Sequence, residues 1–443
     1  MEELAVDRWS IAERYPFGRL LQEGMGIASQ VVALPAAPGD PIFETGVAML
    51  GNLTWVFPHV RTGFGTDLRD ADLGGAGADV ELEPAWVRAA AEAIERYGTC
   101  TYLEEDFTVA SAVELGDAAL DLGRLPRCSD AEYADPRCPL RPADPNEAIR
   151  WVRGYSLADR CERYVPAVMS HLYVTPAPAE RFWLAISTGV AAHTDLPSAI
   201  EAAICEAVER DAIALVWLLR LPLARIELGT GSHGGQVEAN LDRLHRSGVE
   251  QLFFDATTVP GVPTVYTLQL RDGDDRLAQY VNCATALDAD LALAKTIREA
   301  SPARTALVRR AGDVPERFED FCELHHGAIR LGAPEWRHAF DFLLEARERR
   351  TLAEMHADVP RGGWERVAYL LDRLAPLDTD VVIVDLTPDE VREAGMWVVR
   401  AVVPGLMPMS AIHRARYLGH PRLREVARAA GVADVNPLPQ PFA

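Results

Sequence analysis

The pattern Glu-Ala-x-Glu-Arg occurs twice in this chain, 114 residues apart, as Glu92-Ala-Ile-Glu95-Arg96 and Glu206-Ala-Val-Glu209-Arg210. Each copy follows an alanine-rich run, Arg88-Ala-Ala-Ala and Ala202-Ala-Ile-Cys, whose composition predicts a helix. Side chains three apart share a helix face, so each copy sets two carboxylates on one side with an arginine beside them. One copy alone reads as a solvated surface ladder. Two copies in matching contexts point instead to a fold that carries distant helices to one acidic cavity. Such a box suits Mg²⁺ ions and the phosphates they carry.

Composition narrows the alternatives. With 443 residues, 49% apolar and 25% charged, the chain has the make-up of a globular protein with room for a large core. A formal charge of −22 argues against nucleic acid and anionic membrane as partners, since both need a cationic face. No run approaches the roughly 18 apolar residues of a membrane span. The opening Met-Glu-Glu-Leu-Ala-Val-Asp has neither the basic start nor the apolar run of a secretory signal, so the expected location is cytoplasmic. Lys295 is the sole lysine and lies within Leu291-Ala-Leu-Ala-Lys295-Thr-Ile-Arg. A Walker A loop needs lysine directly after a glycine-rich turn, and a P-loop ATPase is thereby excluded. Seven cysteines without CxxC read as reduced thiols, and no HExxH supports a zinc hydrolase.

Along the chain, residues 1–65 alternate short apolar runs with turns and predict strands. Gly63-Phe-Gly65 and Gly74-Gly-Ala-Gly77 predict a flexible loop before a helix that starts near Glu83-Pro84. Residues 121–146, with five prolines, predict an irregular excursion. Phe182-Trp-Leu-Ala-Ile-Ser predicts a strand, and Pro197 to Leu219 the second acidic helix. Residues 262–270 and 276–281 predict an antiparallel hairpin across Asp-Gly-Asp-Asp, followed by a helix over 290–310 and a largely helical stretch over 315–373. Residues 381–403 read as strand–helix–strand, with Gly395 ending the helix. Gly229 to Gly235 lacks a strand-turn-helix context and reads as a connector. The whole predicts an α+β fold, antiparallel or mixed sheets backed by helices. The closing Asn436-Pro-Leu-Pro439-Gln-Pro441-Phe-Ala443 favours a stiff extended rod, although composition alone favours a disordered tail.

Together these features resemble the YcaO superfamily, from about residue 70 to the last residue. Gly74-Gly-Ala-Gly77 and Glu92 to Arg96 are similar to its glycine loop and first acidic helix. Ser187-Thr-Gly189 and Glu206 to Arg210 are similar to its Ser-Asn-Gly segment and second acidic helix. Ala292-Leu-Ala-Lys295-Thr-Ile-Arg-Glu299-Ala-Ser-Pro-Ala-Arg304 resembles a third motif helix. Val399 through Pro404-Gly-Leu406, Gly419-His-Pro-Arg-Leu423 and the proline tail follow in order. The resemblance implies a YcaO-like domain over 66–430 and a proline-rich tail over 431–443.

It further implies an ATP- and Mg²⁺-dependent cyclodehydratase that acts on a precursor peptide of a ribosomal natural product. In such enzymes a Cys, Ser or Thr side chain attacks the preceding backbone carbonyl. The oxyanion takes the γ-phosphoryl group of ATP, and loss of phosphate leaves an azoline ring. Glu92, Glu95, Glu206, Glu209 and Glu299 are then expected as metal or phosphate-site acids, with Ser187, Arg96, Arg210, Lys295 and Arg304 as nucleotide contacts. The resemblance also implies that the tail, with Pro439 and Pro441, enters the active site and places Ala443 near the chemistry. A separate leader-peptide-binding protein is an expected partner, and a homodimer stays open. This chain departs from the family pattern at Ala76, Arg88, Thr188, His193, Ser198 and Pro302, where Arg88 and Glu201 are candidate substitutes for a lost cation and a lost acid. These departures support a rival reading, a degenerate non-catalytic subunit. Amidine- or thioamide-forming chemistry is a further alternative.

Overall fold

The computed structural model describes residues 14–21, 26–51, 53, 56–57, 59–60, 74–229, 234–310 and 314–442. In chain order its main elements are β1 (Ala28–Ala33), β2 (Glu44–Leu50), β3 (Gly74–Asp79), α1 (Leu82–Cys100), β4 (Thr108–Ala110), β5 (Ile149–Ser156), β6 (Cys161–Pro166), β7 (Val190–His193) and α2 (Leu196–Leu219). There follow β8 (Ala224–Glu227), α3 (Gly235–His245), β9 (Glu250–Asp255), β10 (Thr264–Leu270), β11 (Gln279–Thr285) and α4 (Ala289–Arg309). The last are α5 (Leu324–Gly332), β12 (Arg349–Thr351), α6 (Gly363–Leu374), β13 (Val382–Asp385), β14 (Trp397–Val402) and α7 (Pro421–Ala430).

The described strands form three sheets, and the fold is α+β. One is the antiparallel set β1-β2-β3, and a second runs β11-β10-β9-β8-β12 with β12 parallel to β8. The largest runs β4-β5-β13-β14-β7, with β6 also paired to β5. Helix α2 lies between the two larger sheets, against β14 and β7 on one side and β11 on the other. That position explains its sequence: Ala199, Ile204 and Val208 are buried, and from Ala212 to Leu219 every side chain is apolar and buried, as befits a segment enclosed on all sides. Asp195 caps its start by accepting from the Ser198 amide at 3.1 Å, and Arg220 closes its end in a left-handed conformation. Helix α4 packs on β10, β11 and β3, and so joins the small sheet to the middle one.

Four expectations change. Gly74 to Gly77 is no loop but part of β3, paired in register with β2 and laid flat on α1. Phe182 to Ser187 stays outside the sheets, its Ile186 carbonyl taken by Arg400, and the strand begins only at Val190. The stretch 315–373 also contains β12. The proline tail is packed as far as Phe442, because Asn436 donates to the Leu218 carbonyl (2.7 Å) and Trp217 Nε1 to that of Leu438 (3.4 Å). Gly63, Gly65, Gly231 and Ala443 lie outside the described residues. Among the described residues no helix is long and apolar enough to cross a membrane.

Candidate functional site

Glycine brings the first acidic turn into its working surroundings. A Cβ on Gly75 would stand 2.1 Å from the Ala89 carbonyl oxygen, and one on Gly77 2.3 Å from that of Ala85. Without them β3 rests directly on α1, and the Ala76 amide between them donates to Glu92 Oε2 at 2.8 Å. Glu92 Oε1 accepts from Arg96 Nη2 at 2.7 Å.

The second turn repeats this design with unrelated parts. Ser187 to Val190 forms a turn in which the Val190 amide donates to the Ser187 carbonyl (3.0 Å), and Gly189 takes the positive φ (79°) the turn requires. The Gly189 amide donates to Glu206 Oε2 at 3.0 Å, and Arg210 Nη2 donates to Glu206 Oε1 at 3.0 Å. In both turns, one oxygen of the first glutamate takes a backbone amide and the other takes the arginine one helical turn on. The second glutamates differ. Glu209 accepts from the Thr285 amide (2.9 Å) and pairs with Arg210 (3.1 Å), whereas Glu95 accepts no hydrogen bond among the described residues.

The two turns meet at Glu95. Burial, then the charges of Glu206 and Glu92, hold its carboxyl well above the usual carboxylate range, against the pull of Arg96 and Arg400. Burial raises Glu209 as well; Arg210 and Lys295 counter it, while Glu206 and Glu299 add to it. Lys295 shows the reverse: burial opposes its charge, but Glu299 and Glu209 outweigh burial and keep the ammonium charged. Thus Glu92, Glu95, Glu206, Glu209 and Glu299 form one electrostatic cluster, with Arg96, Arg210 and Lys295 among them. Repulsion that raises a carboxyl's pKa is relieved by a proton or a cation, and oxygen donors fit a hard divalent ion. Among the described residues no three acid, His or Cys side chains close into a preformed cage. Such a donor set fits Mg²⁺, which keeps water or phosphate ligands, better than it fits an ion wanting a full protein shell.

Arg304 is not brought to this cluster by its hydrogen bonds. Fully buried, it donates to Asp40 (3.2 Å) and to the Leu277 carbonyl (3.1 Å), tying α4 to the chain ahead of β2. Some of the family departures and their candidate substitutes have local partners. Arg88 grips Asp79 through Nε (3.2 Å) and Nη2 (3.0 Å), and Glu201 is held by Arg366 through two bonds of 2.6 and 2.5 Å. Ser198 Oγ donates to the capping Asp195, Thr188 Oγ1 is buried without a partner among the described residues, and Pro302 sits inside α4. Pro439 and Pro441 are buried, and the Gln440 carbonyl crosses α5 so closely that a Cβ on Gly327 would meet it at 1.8 Å. Phe442 packs edge-on to Tyr266 (5.3 Å), the cross-strand partner of Cys283, which lies in the field of Glu209 and Arg210.

Sequence reasoning missed two buried ions. Arg400, on β14, donates to the Ile186 (2.7 Å) and Ser170 (3.3 Å) carbonyls; burial lowers its pKa to about 10, while Glu206 and Glu95 favour its charge. An arginine inside the apolar run Val398-Val-Arg-Ala-Val was the available signal. Asp211 receives Arg422 Nε and Nη2, each at 2.6 Å, and the Met407 amide at 2.8 Å. It thereby fastens α7 and the Pro-Gly-Leu segment to α2 next to Arg210.

A family model described as a YcaO cyclodehydratase, ATP- and Mg²⁺-binding, matches residues 75–407. The fold is similar to that of a heterocyclase solved in complex with substrate and cofactor (TM-score 0.78, 22% identity, 97% of this chain and 57% of that one). It is also similar to YcaO from Methanopyrus kandleri bound with AMPPCP and Mg²⁺ (TM-score 0.62, 19% identity, 91% and 90% covered). A third likeness is to the E. coli microcin synthetase McbBCD complex (TM-score 0.63, 17% identity, 95% and 99% covered). This chain spans little more than half the length of the first heterocyclase. Since the family match runs from the glycine strand through both acidic turns to the Pro-Gly-Leu segment, the chain belongs to the YcaO family.

Proposed function

We propose that the chain is an ATP- and Mg²⁺-dependent cyclodehydratase that activates a backbone amide of a ribosomally made precursor peptide and forms azoline rings from Cys, Ser or Thr. The observation that carries this reading is the meeting of two equivalently built carboxylate–arginine turns at Glu95, whose proton affinity a bound cation would replace. ATP on Mg²⁺ supplies the phosphoryl group that makes an amide oxygen a leaving group. The residues of the chain then have distinct tasks. Glu92, Glu95, Glu206, Glu209 and Glu299 would hold the cation. Arg96 and Arg210, fixed by Glu92 and Glu206, offset the charge of the phosphates. Lys295 makes no hydrogen bond among the described residues and is free to follow the transferred group. The Ser187–Gly189 turn keeps Glu206 oriented. The path of the tail supports a role near the chemistry for Pro439, Pro441 and the residue after Phe442, Ala443. The likeness to the McbBCD complex supports a partner protein, here proposed to recognise the leader peptide.

A second reading, a non-catalytic peptide-binding subunit, is favoured by one observation: Arg88 and Glu201 are each already gripped by a neighbour. The test is phosphate release and peptide mass with Mg-ATP and a candidate precursor, with and without partner proteins. Phosphate release with loss of one water per modified residue is the expected result. Exchange of oxygen for sulfur would move the assignment to thioamide formation, and nucleotide binding without turnover would favour the subunit. A chain that binds no nucleotide under any condition overturns the enzymatic reading.

A further inference from the structure

Several arginines are almost wholly buried, and they are not alike. Arg304 is bonded to Asp40 and a carbonyl, Arg400 to two carbonyls, and Arg422 to Asp211 through two nitrogens. Arg298, only 1% exposed, is different. Its Nε and Nη1 are buried without a hydrogen-bond partner among the described residues, and Nη2 stands 3.6 Å from Glu299 Oε1. Arginine does not lose its proton in proteins, so this is a buried cation with its donors unmet, an arrangement that folding alone does not favour.

Its position on α4 says what would meet those donors. Lys295, Arg298 and Glu299 fall within an arc of about 100° on one face of the helix. Glu299 belongs to the acidic cluster, and Lys295 bears on Glu299 and Glu209. On its other side Arg298 lies in the field of Asp79 and Arg88, the end of the glycine strand and the turn of α1 that precedes Glu92. Asp79 is engaged elsewhere: one oxygen takes both Arg88 nitrogens and the other the Val80 amide. Arg298 therefore sits where α4 faces the first acidic turn, beside a carboxylate expected to hold a cation. Among the described residues, no anion of the chain hydrogen-bonds to it. Pro302 adds a local opening: without an N–H it leaves the Arg298 carbonyl without its helical donor.

We propose that Arg298 is a phosphate-binding residue, which with the neighbouring Lys295, on the same helix face as Glu299, clamps a phosphate oxygen of a nucleoside polyphosphate. The assignment rests on the nucleotide reading above and extends it to a residue outside the recurrent motif positions. A guanidinium kept for structure and one kept for a ligand respond oppositely to replacement by an apolar isostere. Removing an unsatisfied buried charge leaves a fold as stable or more so, whereas removing a bonded one weakens it.

The experiment measures affinity for Mg-ATP, Mg-ADP and inorganic phosphate by titration calorimetry, and ligand-free melting temperature, in wild type, Arg298→Met and Arg298→Lys. The expected result is at least a tenfold loss of ATP and ADP affinity in Arg298→Met, partial recovery in Arg298→Lys, and a ligand-free melting temperature no lower than wild type. Inorganic phosphate binding comparably to ATP would overturn the nucleotide source in favour of a simple anion site. Unchanged nucleotide affinity in Arg298→Met, or a large fall in its ligand-free melting temperature, overturns the clamp alone. Absence of nucleotide binding by wild type overturns the nucleotide reading and the clamp with it. Failure of Arg298→Met to fold is the extreme of that fall in melting temperature and overturns the clamp in the same way.

Discussion

The two acidic turns have one local design and different foundations. In α1, Glu92 and Arg96 keep about a third of their side-chain surface exposed (33% and 34%), and what covers them is a thin strand of glycine and alanine. In α2, the corresponding values are 24% and 25%, and Glu209 falls to 8% because the Thr285 amide and Arg210 enclose it. Two residues further on, Asp211 is wholly buried and locked to Arg422. The pentapeptides are nearly identical, so the difference lies in what surrounds them: α1 packs between the small sheet and the β7 and β14 strands of the largest, α2 between the two larger sheets. The α2 half is thus the more enclosed, and the α1 half, whose Glu95 accepts no hydrogen bond among the described residues, is the half we propose exchanges a proton for a cation.

The contrast can be broken from the α2 side with the largest effect. Asp211→Asn leaves the Arg422 guanidinium buried without its carboxylate and is expected to cost about 3–5 kcal/mol. A urea titration measures this as a lowered midpoint, and a midpoint like wild type would remove the claim that α2 is the more enclosed half. On the α1 side, Gly75→Val forces a side chain into the Ala89 carbonyl and is expected to cost about 1–3 kcal/mol. Its sharper effect is to lift the Ala76 amide from Glu92, so Mg-ATP affinity falls more than global stability does. A variant that binds nucleotide normally would show that the strand contact does not set the first half-site.

The smallest effect on stability sharpens the comparison through pH. Glu95 in the folded protein has a pKa well above the ordinary 4.5, from burial and then from Glu206 and Glu92. Above pH 4.5 the folded state therefore keeps a proton that the unfolded chain releases. The Glu95 contribution to stability falls as pH rises from about the ordinary value through the folded one. Mg²⁺ is expected to flatten that decline by taking the proton's place. Melting temperature against pH, with and without Mg²⁺, should differ for wild type and converge for Glu95→Gln. Equal slopes for the two proteins without Mg²⁺ would count against Glu95 as the exchangeable group.

Much of this was legible in the sequence because it is carried by chain neighbours. The paired Glu-Ala-x-Glu-Arg turns, the helices that bear them, the hairpin of β10 and β11 and the α+β class follow from periodicity and from i,i+4 spacing. The order of motifs also marked the family. Less legible was any property that needs a partner far along the chain. Gly74 to Gly77 reads as a loop until β2 is available to pair with it. A Pro-rich tail reads as disordered until the Leu218 carbonyl receives Asn436. Arg304 looks equivalent to Lys295 on the same helix, yet its guanidinium is bonded to Asp40.

By itself, then, the sequence determined which charges the protein possesses and which stand together on a helical turn, since about 3.6 residues per turn settles that locally. Only the tertiary structure decided which of those charges are neutralised and which stay unsatisfied. The physical reason is that a buried ion's state depends on desolvation and on the opposite charges nearest to it. For Glu95, Arg298 and Arg400, atoms more than a hundred residues away in the chain take part in that decision.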